Sequence, residues 1–412
     1  MRILRPVCVW SMLLLAAHAC LYAQAVNATL LGTVTDSSGA IVANAKVTVT
    51  ETQTGIARSG QTNSSGNYTF PDVTPGQYSV EVELTGFKKE IRQNVDVVVN
   101  TSTRIDVQLQ PGNISESVEV TAAPPLLQTD RADTGSSIST MATANLPTGT
   151  NRNFQSLLNL VPGTTRASFQ HSQFFNAASS LQTEVNGQLR MGNNYQIEGI
   201  DDNERTGLLQ ILVPPIEAIQ TVDVSTSNFD AELGRASGAV TNVLLKSGTN
   251  SIHGAAYEFL QNSSLNARNF FNPSVGHLAY NYFGGNIGGP ILKNKLFYFG
   301  DILEVKDHEA NTNLITIPTP AEISGDLSSS PTAIYNPFTG NANGTNRQQF
   351  LNNRIPSNLI NPISAKLLAL LPAPNLTSPT GINNYFALLP YHKDTLSYDV
   401  KVDYNPTEKD RV

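Results

Sequence analysis

The chain has 412 residues, more than one ordinary domain needs, so about two to four folded units are expected. Its net charge of −7, from 26 Lys and Arg against 33 Asp and Glu, argues against nucleic acid as a partner. Hydrophobic residues make up 40%, enough for folded cores, yet few segments have helical apolar spacing, so the composition points to strands joined by polar turns.

Residues 1–25 read as a secretory signal peptide. Arg2 and Arg5 form a basic start, "VCVWSMLLLAAHAC" is an apolar run too short to span a bilayer, and Ala23-Gln24-Ala25 supplies a cleavage site after Ala23 or Ala25. Cys20 raises a lipoprotein alternative, for which His18-Ala19-Cys20 is a poor match. Cys8 and Cys20 are the only cysteines, and both lie in the signal. The processed chain then carries no thiol, which fits an oxidising compartment and excludes disulfides and Cys-ligated metals. No later run is a transmembrane helix, so any membrane role must use strands.

Residues 26–111 read as one β domain. "TLLGTVTDSSGAIVANAKVTVTETQTG" has alternating apolar positions at Leu31, Val34, Val47 and Val49, with turn chemistry at Asp36-Ser37-Ser38-Gly39. Tyr68 and Phe70 share a strand face, as do Tyr78, Val80 and Val82, and Pro75-Gly76 turns between them. About seven short strands in this length suit a Greek-key sandwich. The pattern Gly32, Asp36, Gly39, Ala45, Gly66, Tyr68, Phe70, Pro75, Gly76, Tyr78, Gly86, Phe87 resembles the carboxypeptidase regulatory-like domain. That resemblance implies a prealbumin-like accessory sandwich, sometimes grouped with carbohydrate-binding-like folds. It does not imply peptidase activity, because the segment has no His and few plausible ligands for a catalytic zinc.

Residues 112–135 read as a linker containing "GNISESVEVTAAPPLLQTD", a short lone strand stopped by Pro124-Pro125. Such a strand can add to the edge of a partner's sheet. Val118, Glu119, Val120, Thr121 and Ala122 resemble a TonB box, the segment by which outer-membrane transporters engage TonB.

Residues 136–250 change character. "LPTGTNRNFQSLLNLVPGT" predicts a short amphipathic helix with Phe154, Leu157, Leu158 and Val161 on one side, stopped by Pro162-Gly163. Strands are predicted over 221–226 and 239–246. "NRNFQSLLNLVPG", "VNGQ", "NNYQIEGIDDN", "IEAIQTVDV" and "ELGRASGAVTNVLLKSGTN" resemble, in order, the α+β plug domain of TonB-dependent receptors. Within it, Glu198, Asp201, Asp202 and Glu204 crowd one stretch. An EF-hand fails, because no acid falls at position twelve from Asp201 or Asp202, and no nearby His supports acid–base work. The acids read as structural. The resemblance places Glu198, Asp201 and Asp202 at a polar plug–barrel interface facing lumen Arg and Lys, and makes Glu232 and Arg235 a charge pair holding the plug.

Residues 251–412 read as the first strands of an outer-membrane β-barrel. A hairpin is predicted to turn at Lys293-Asn294-Lys295. In "LSYDVKVDY", Leu396, Tyr398, Val400, Val402 and Tyr404 share one face and Ser397, Asp399, Lys401 and Asp403 the other, as for a strand between lipid and a wet lumen. Between them runs a long Pro-, Asn- and Ser-rich loop to about His392, with a short helix in "NPISAKLLALLPAPN". "FGGNIGGPILKNKLFYFGDILE", "IPTPAEISGDLS" and "NRIPSNLINPISAKLLALLPAPN" resemble the Oar-like subgroup, whose barrels close around about 22 strands, so an N-terminal fragment with an incomplete barrel is expected.

The expectation is therefore a mainly β chain of the Gram-negative outer membrane, with its first domain in the periplasm. It would transport an unidentified ligand on energy from TonB and its inner-membrane complex, touch outer-membrane lipid, and need no cofactor, metal or catalytic residue. A surface adhesion or structural β-sandwich protein is the alternative, but only one copy of the first domain is present. A hydrolase is disfavoured: "DHEANTN" has His308-Glu309 without a second His, and no G-x-S-x-G occurs.

Overall fold

The computed structural model describes residues 28–114, 117–120, 133–149, 151–168, 178–205, 209–229, 231–268, 270, 274–379 and 381–407; the signal-peptide reading lies outside them. The chain divides into two compact units. The first holds Met1–Tyr257, Phe283–Leu303 and Leu396–Val412, and the second Glu258–Tyr282 and Glu304–Thr395.

Alternating side chains make the first body. Its strands are β1 (Ala28–Asp36), β2 (Lys46–Glu51), β3 (Ala57–Gln61), β4 (Asn67–Val73), β5 (Gly76–Glu83), β6 (Lys89–Val97), β7 (Ser102–Arg104), β8 (Val107–Leu109) and β9 (Ser117–Val120). One sheet runs β4-β1-β7, with β8 also on β1; the other runs β3-β2-β5-β6-β9. Leu30, Val34, Val47, Val49, Val80, Val82 and Leu109 are fully buried in one shared core. Leu30, not Leu31, belongs to that core: Leu31 and Val34 are three apart and face opposite ways, whereas Leu30, Gly32 and Val34 keep the period of two. Gly32 is required there, because a Cβ would sit 1.9 Å from the Ile105 carbonyl oxygen. The Tyr68 hydroxyl donates to that same carbonyl at 2.6 Å, which satisfies a buried polar tip.

The expected lone strand at 117–120 is not alone. β9 lies parallel on β6, with Lys89 opposite Ser117, Glu90 opposite Val118, Ile91 opposite Glu119 and Arg92 opposite Val120. An open edge of β6 offers unpaired main-chain groups, and a local extended segment satisfies them. Thr121 and Ala122 lie outside the described residues.

A second sheet follows, from β10 (Thr134–Ser139), β11 (Asn194–Ile197), β12 (Ile200–Asp201), β13 (Ile219–Ser227) and β14 (Val240–Leu245), in the order β10-β13-β14-β11-β12. β11 runs parallel to β14 and the other pairs are antiparallel, so the sheet is mixed. All six residues of β14 are buried, as a central strand covered on both faces requires. The predicted helix forms over Phe154–Leu160 as a 3₁₀ helix, and its N-cap Asn153 side chain accepts from the Gln155 amide at 2.8 Å. Phe154, Leu157, Leu158 and Val161 enter the core with Val222, Val224 and Val243.

The last sheet holds β15 (His253–Asn262), β16 (Leu278–Leu292), β17 (Leu296–Ile315) and β18 (Tyr385–Tyr404), paired in chain order. The β16–β17 hairpin turns over residues 293–295, as predicted. β18 has 20 residues and starts at Tyr385, well before the expected Leu396, because exposed Leu388 and Leu389 and an internal Pro390 hide the alternation in the sequence. Phe297, Phe299, Asp301 and Leu303 of β17 are buried and Ile302 is exposed. On β18, Leu396, Tyr398, Val400, Val402 and Tyr404 are exposed while Asp403 is buried.

In the second unit the excursion between β17 and β18 is folded back by its own turns. Ile317 and the buried Asn384 exchange bonds of 2.9 and 2.8 Å, closing the base of the excursion. Thr319 and Glu322 form a capping box on the helix Pro320–Ile323, and a second helix spans Pro362–Leu368 inside the predicted segment. Arg354 meets Asp326 at 2.9 Å.

The first core is the basis for a stability prediction. Leu30→Ala leaves a void among valines fixed by two sheets, so it should cost about 2–5 kcal/mol. Urea denaturation followed through Tyr68 and Tyr78 fluorescence checks this.

Candidate functional site

The acidic stretch is built on a tight hairpin. β11 and β12 are joined by Glu198 and Gly199, both at positive φ (52° and 77°), the conformation that a two-residue hairpin turn demands. Glycine takes it freely; Glu198 is held there by its side chain. One carboxylate oxygen accepts from the Leu245 amide at 2.8 Å and from the Lys401 ammonium at 2.8 Å. Lys401 also donates to the Leu245 carbonyl at 3.4 Å, so one β18 residue grips both the hairpin and the end of β14. Two residues on, the buried Asp403 carboxylate accepts from the Ser247 hydroxyl.

The other acids serve different ends. Arg235 reaches both oxygens of Asp201 at 3.0 and 3.2 Å, but the pair is about half exposed on each side and is worth little on its own. Glu232, expected to pair with Arg235, has a side chain outside the described residues; the described partner of Arg235 is Asp201. Asp202 is buried, and its carboxylate accepts from the Leu212 amide at 3.0 Å. Burial pushes its pKa up to about 6, against the lowering effect of that hydrogen bond.

A second polar junction centres on Glu217. Arg152 donates to its carboxylate at 2.7 Å through Nε and approaches at 2.5 Å through Nη2. Its carbonyl accepts from Lys246 at 2.6 Å and from Asn286 of β16 at 3.2 Å. Burial lowers the Lys246 pKa, with Glu217 opposing. Sequence reasoning missed this junction, since Arg152, Glu217, Lys246 and Asn286 lie far apart and each reads as an ordinary surface residue. A third contact ties the first body to the hairpin turn. Asn250 donates from its amide to Gln53 at 3.0 Å and from its side chain to Thr54 at 2.6 Å, and exchanges two bonds with Asn294.

Among the described residues, no group of three or more His, Cys, Asp or Glu is placed to hold a metal ion. No helix among them is long and apolar enough to cross a membrane, which says nothing of strands.

The outer membrane beta barrel domain family matches residues 244–412, and the carboxypeptidase regulatory-like domain family matches residues 29–110. The TonB-dependent transporter Oar of Myxococcus xanthus is 28% identical over 293 residues, covering 67% of this chain and 26% of that protein. These matches make the chain similar to the Oar-like TonB-dependent transporters of the outer membrane. The chain spans about a quarter of the length of this curated relative. Among solved structures, the siderophore receptor PirA from Acinetobacter baumannii is similar with a TM-score of 0.32 and 18% identity, covering 43% of this chain and 28% of that one. The outer membrane transporter YddB from Escherichia coli has a TM-score of 0.34 and 15% identity over 44% of this chain and 27% of its own.

Two predictions arise from these contacts. Lys401→Met removes a charge-assisted contact from Glu198 and should cost about 1.5–3 kcal/mol. In a double-mutant cycle with Glu198→Gln, thermal unfolding should show the two losses to be non-additive. Asp202 gives a pH signature. Its folded pKa lies above its unfolded value, so its contribution to stability is full below about 4 and is lost as pH rises through about 6. Asp202→Asn should therefore raise the melting temperature at pH 7.5, with the difference closing towards pH 4.

Proposed function

We propose that the chain forms the periplasmic, plug and first barrel portions of a transporter that moves an unidentified ligand across the outer membrane on energy delivered by TonB. In this reading residues 26–111 are a prealbumin-like Greek-key sandwich in the periplasm. Residues 136–250 are the plug, and residues 251–412 begin the barrel.

The observation that carries the reading is the bond from Lys401 to Glu198. Lys401 sits on the polar face of a strand whose other face exposes Leu396, Tyr398, Val400 and Val402. A membrane strand with one face to lipid turns its polar side chains inward. There they need partners, and the β10–β14 sheet supplies them, as a plug filling a lumen would. Glu198 and Asp202 act as structural acids of that plug, and Asp201 with Arg235 forms part of its polar rim. Asn286 on Glu217 repeats the logic at a second point.

Val118, Glu119, Val120, Thr121 and Ala122 are the TonB-box-like segment, which pairs with TonB by adding strand to strand. The cargo is unassigned: a metal chelate, a vitamin, a glycan fragment and an exported protein all fit an energised plug.

The test uses the full-length transporter in cells. Val120→Pro removes a main-chain donor and resists a ladder, whereas Val120→Ala keeps the hydrogen bonds. Val120→Pro should abolish TonB-driven transport while leaving ligand binding at the surface intact, and Val120→Ala should transport normally. Equal transport by Val120→Pro and wild type would refute the assignment.

A further inference from the structure

We propose that His308 and His392 form a two-imidazole site for a resident divalent transition-metal ion, with Asp394 as the residue that positions His308. The bound ion staples β17 to β18 at the foot of the excursion between them.

In its own segment His308 has no second His beside it. The partner arrives from β18. The His308 and His392 rings are stacked, with centroids 4.7 Å apart and planes 29° apart. His308 Nε2 meets the Asp394 carboxylate at 2.8 Å, from 86 residues along the chain. An ionised carboxylate only accepts, so Nε2 carries the proton and donates it, and Nδ1 keeps its lone pair. A carboxylate in this position fixes the tautomer of a metal-bound imidazole and raises its basicity. His392 adds a second imidazole from the neighbouring strand.

The donors set the class of ion. Imidazole suits Zn²⁺, Cu²⁺ and Ni²⁺, whereas Mg²⁺ and Ca²⁺ take oxygen ligands. Two protein nitrogens leave the other positions to water, which an accessible site supplies. His392 and Asp394 are exposed and His308 is half-buried. Glu304 and Lys306 share the His308 side of β17 by the period of two, and they pair at 3.1 Å. Such charges fit a wet surface and not hydrocarbon. On a surface this open, apolar burial gives two imidazoles little reason to stack.

The place of the pair gives the ion its role. From the rings, β17 runs on towards Ile317 and β18 runs back towards Asn384, where bonds of 2.9 and 2.8 Å close the base of the excursion. An ion held by both rings ties the same two arms a second time. A second tie removes chain freedom from the open forms of the excursion. The ion is then a fixed part of the second unit and not a cargo.

Cu²⁺ is the probe, added as its chloride to the full-length transporter in detergent, and electron paramagnetic resonance reads its nitrogen ligands. Wild type should bind an ion with the signature of two imidazoles, removed by EDTA. His308→Ala and His392→Ala should each lose that signature and weaken binding more than about tenfold. His308→Gln and His392→Gln serve the same purpose if an alanine variant fails to fold. Asp394→Asn should keep two imidazoles but bind about tenfold or more weakly, as the loss of a carboxylate behind a ligand does. Unchanged affinity in Asp394→Asn would overturn its positioning role. Zn²⁺ tests the staple: saturating zinc chloride should slow protease cleavage within 318–383 by about threefold or more in wild type, and have no effect in the double His variant. A two-imidazole signature that is absent from wild type, or that persists in the double variant, would overturn the site. Zinc binding that leaves cleavage unchanged would overturn the staple.

Discussion

A strand that exposes apolar side chains on one face must find partners for the polar groups on the other, and β18 meets that constraint. In β18 the exposed face is Leu396, Tyr398, Val400 and Val402, which leaves Asp399, Lys401 and Asp403 pointing the opposite way. Buried charges are tolerated only when paired. Lys401 finds Glu198 and the Leu245 carbonyl, and Asp403 finds the Ser247 hydroxyl. These partners come from the end of β14 and the β11–β12 turn beside it, so the strand with the exposed apolar face also holds the end of the β10–β14 sheet.

The same constraint explains the backbone at Glu198. A tight two-residue turn normally places Asn or Gly at positive φ. Here a glutamate takes the strained position because its carboxylate has two donors waiting, the Leu245 amide and the Lys401 ammonium. Asp202 is four residues away and has a different fate. It is buried with the Leu212 amide as its described donor, so desolvation governs its pKa instead of an ion pair. Adjacent acids in one short stretch thus become a latch, an exposed surface pair and a buried carboxyl, according to which element each one faces.

The first body is linked to the rest of its unit by hydrogen bonds made largely by asparagine side chains. Asn250 and Asn294 bond to each other, and Asn250 also bonds to Gln53 and Thr54. Asn100 adds a longer contact to Asp223 at 3.4 Å. Such joints are specific in direction, since each hydrogen bond fixes a donor against an acceptor. β9 adds to this pattern, because its hold on β6 is a short ladder whose strength lies in backbone bonds.

Much of this was legible in the sequence wherever one strand faced one environment. Leu396 to Tyr404 alternates because one face of the strand is exposed and the other meets polar partners, and Tyr68 with Phe70, or Val80 with Val82, alternate because one side meets a core. The turn at 293–295 was legible for the same local reason, and the run of family-like segments carried the order of the parts. What the sequence could not decide was pairing between distant residues. Arg152, Glu217, Lys246 and Asn286 meet only once the β10–β14 sheet and β16 are in place. Glu198 reads as one acid among four until Lys401, 203 residues away, is brought to 2.8 Å. The segment at 117–120 reads as a lone strand, because nothing local records that the edge of β6 is open beside it. Local alternation reports which side of a strand is apolar, since each residue senses its own environment. Hydrogen-bond and charge partners are fixed by the closure of long loops, and only the tertiary structure decides those.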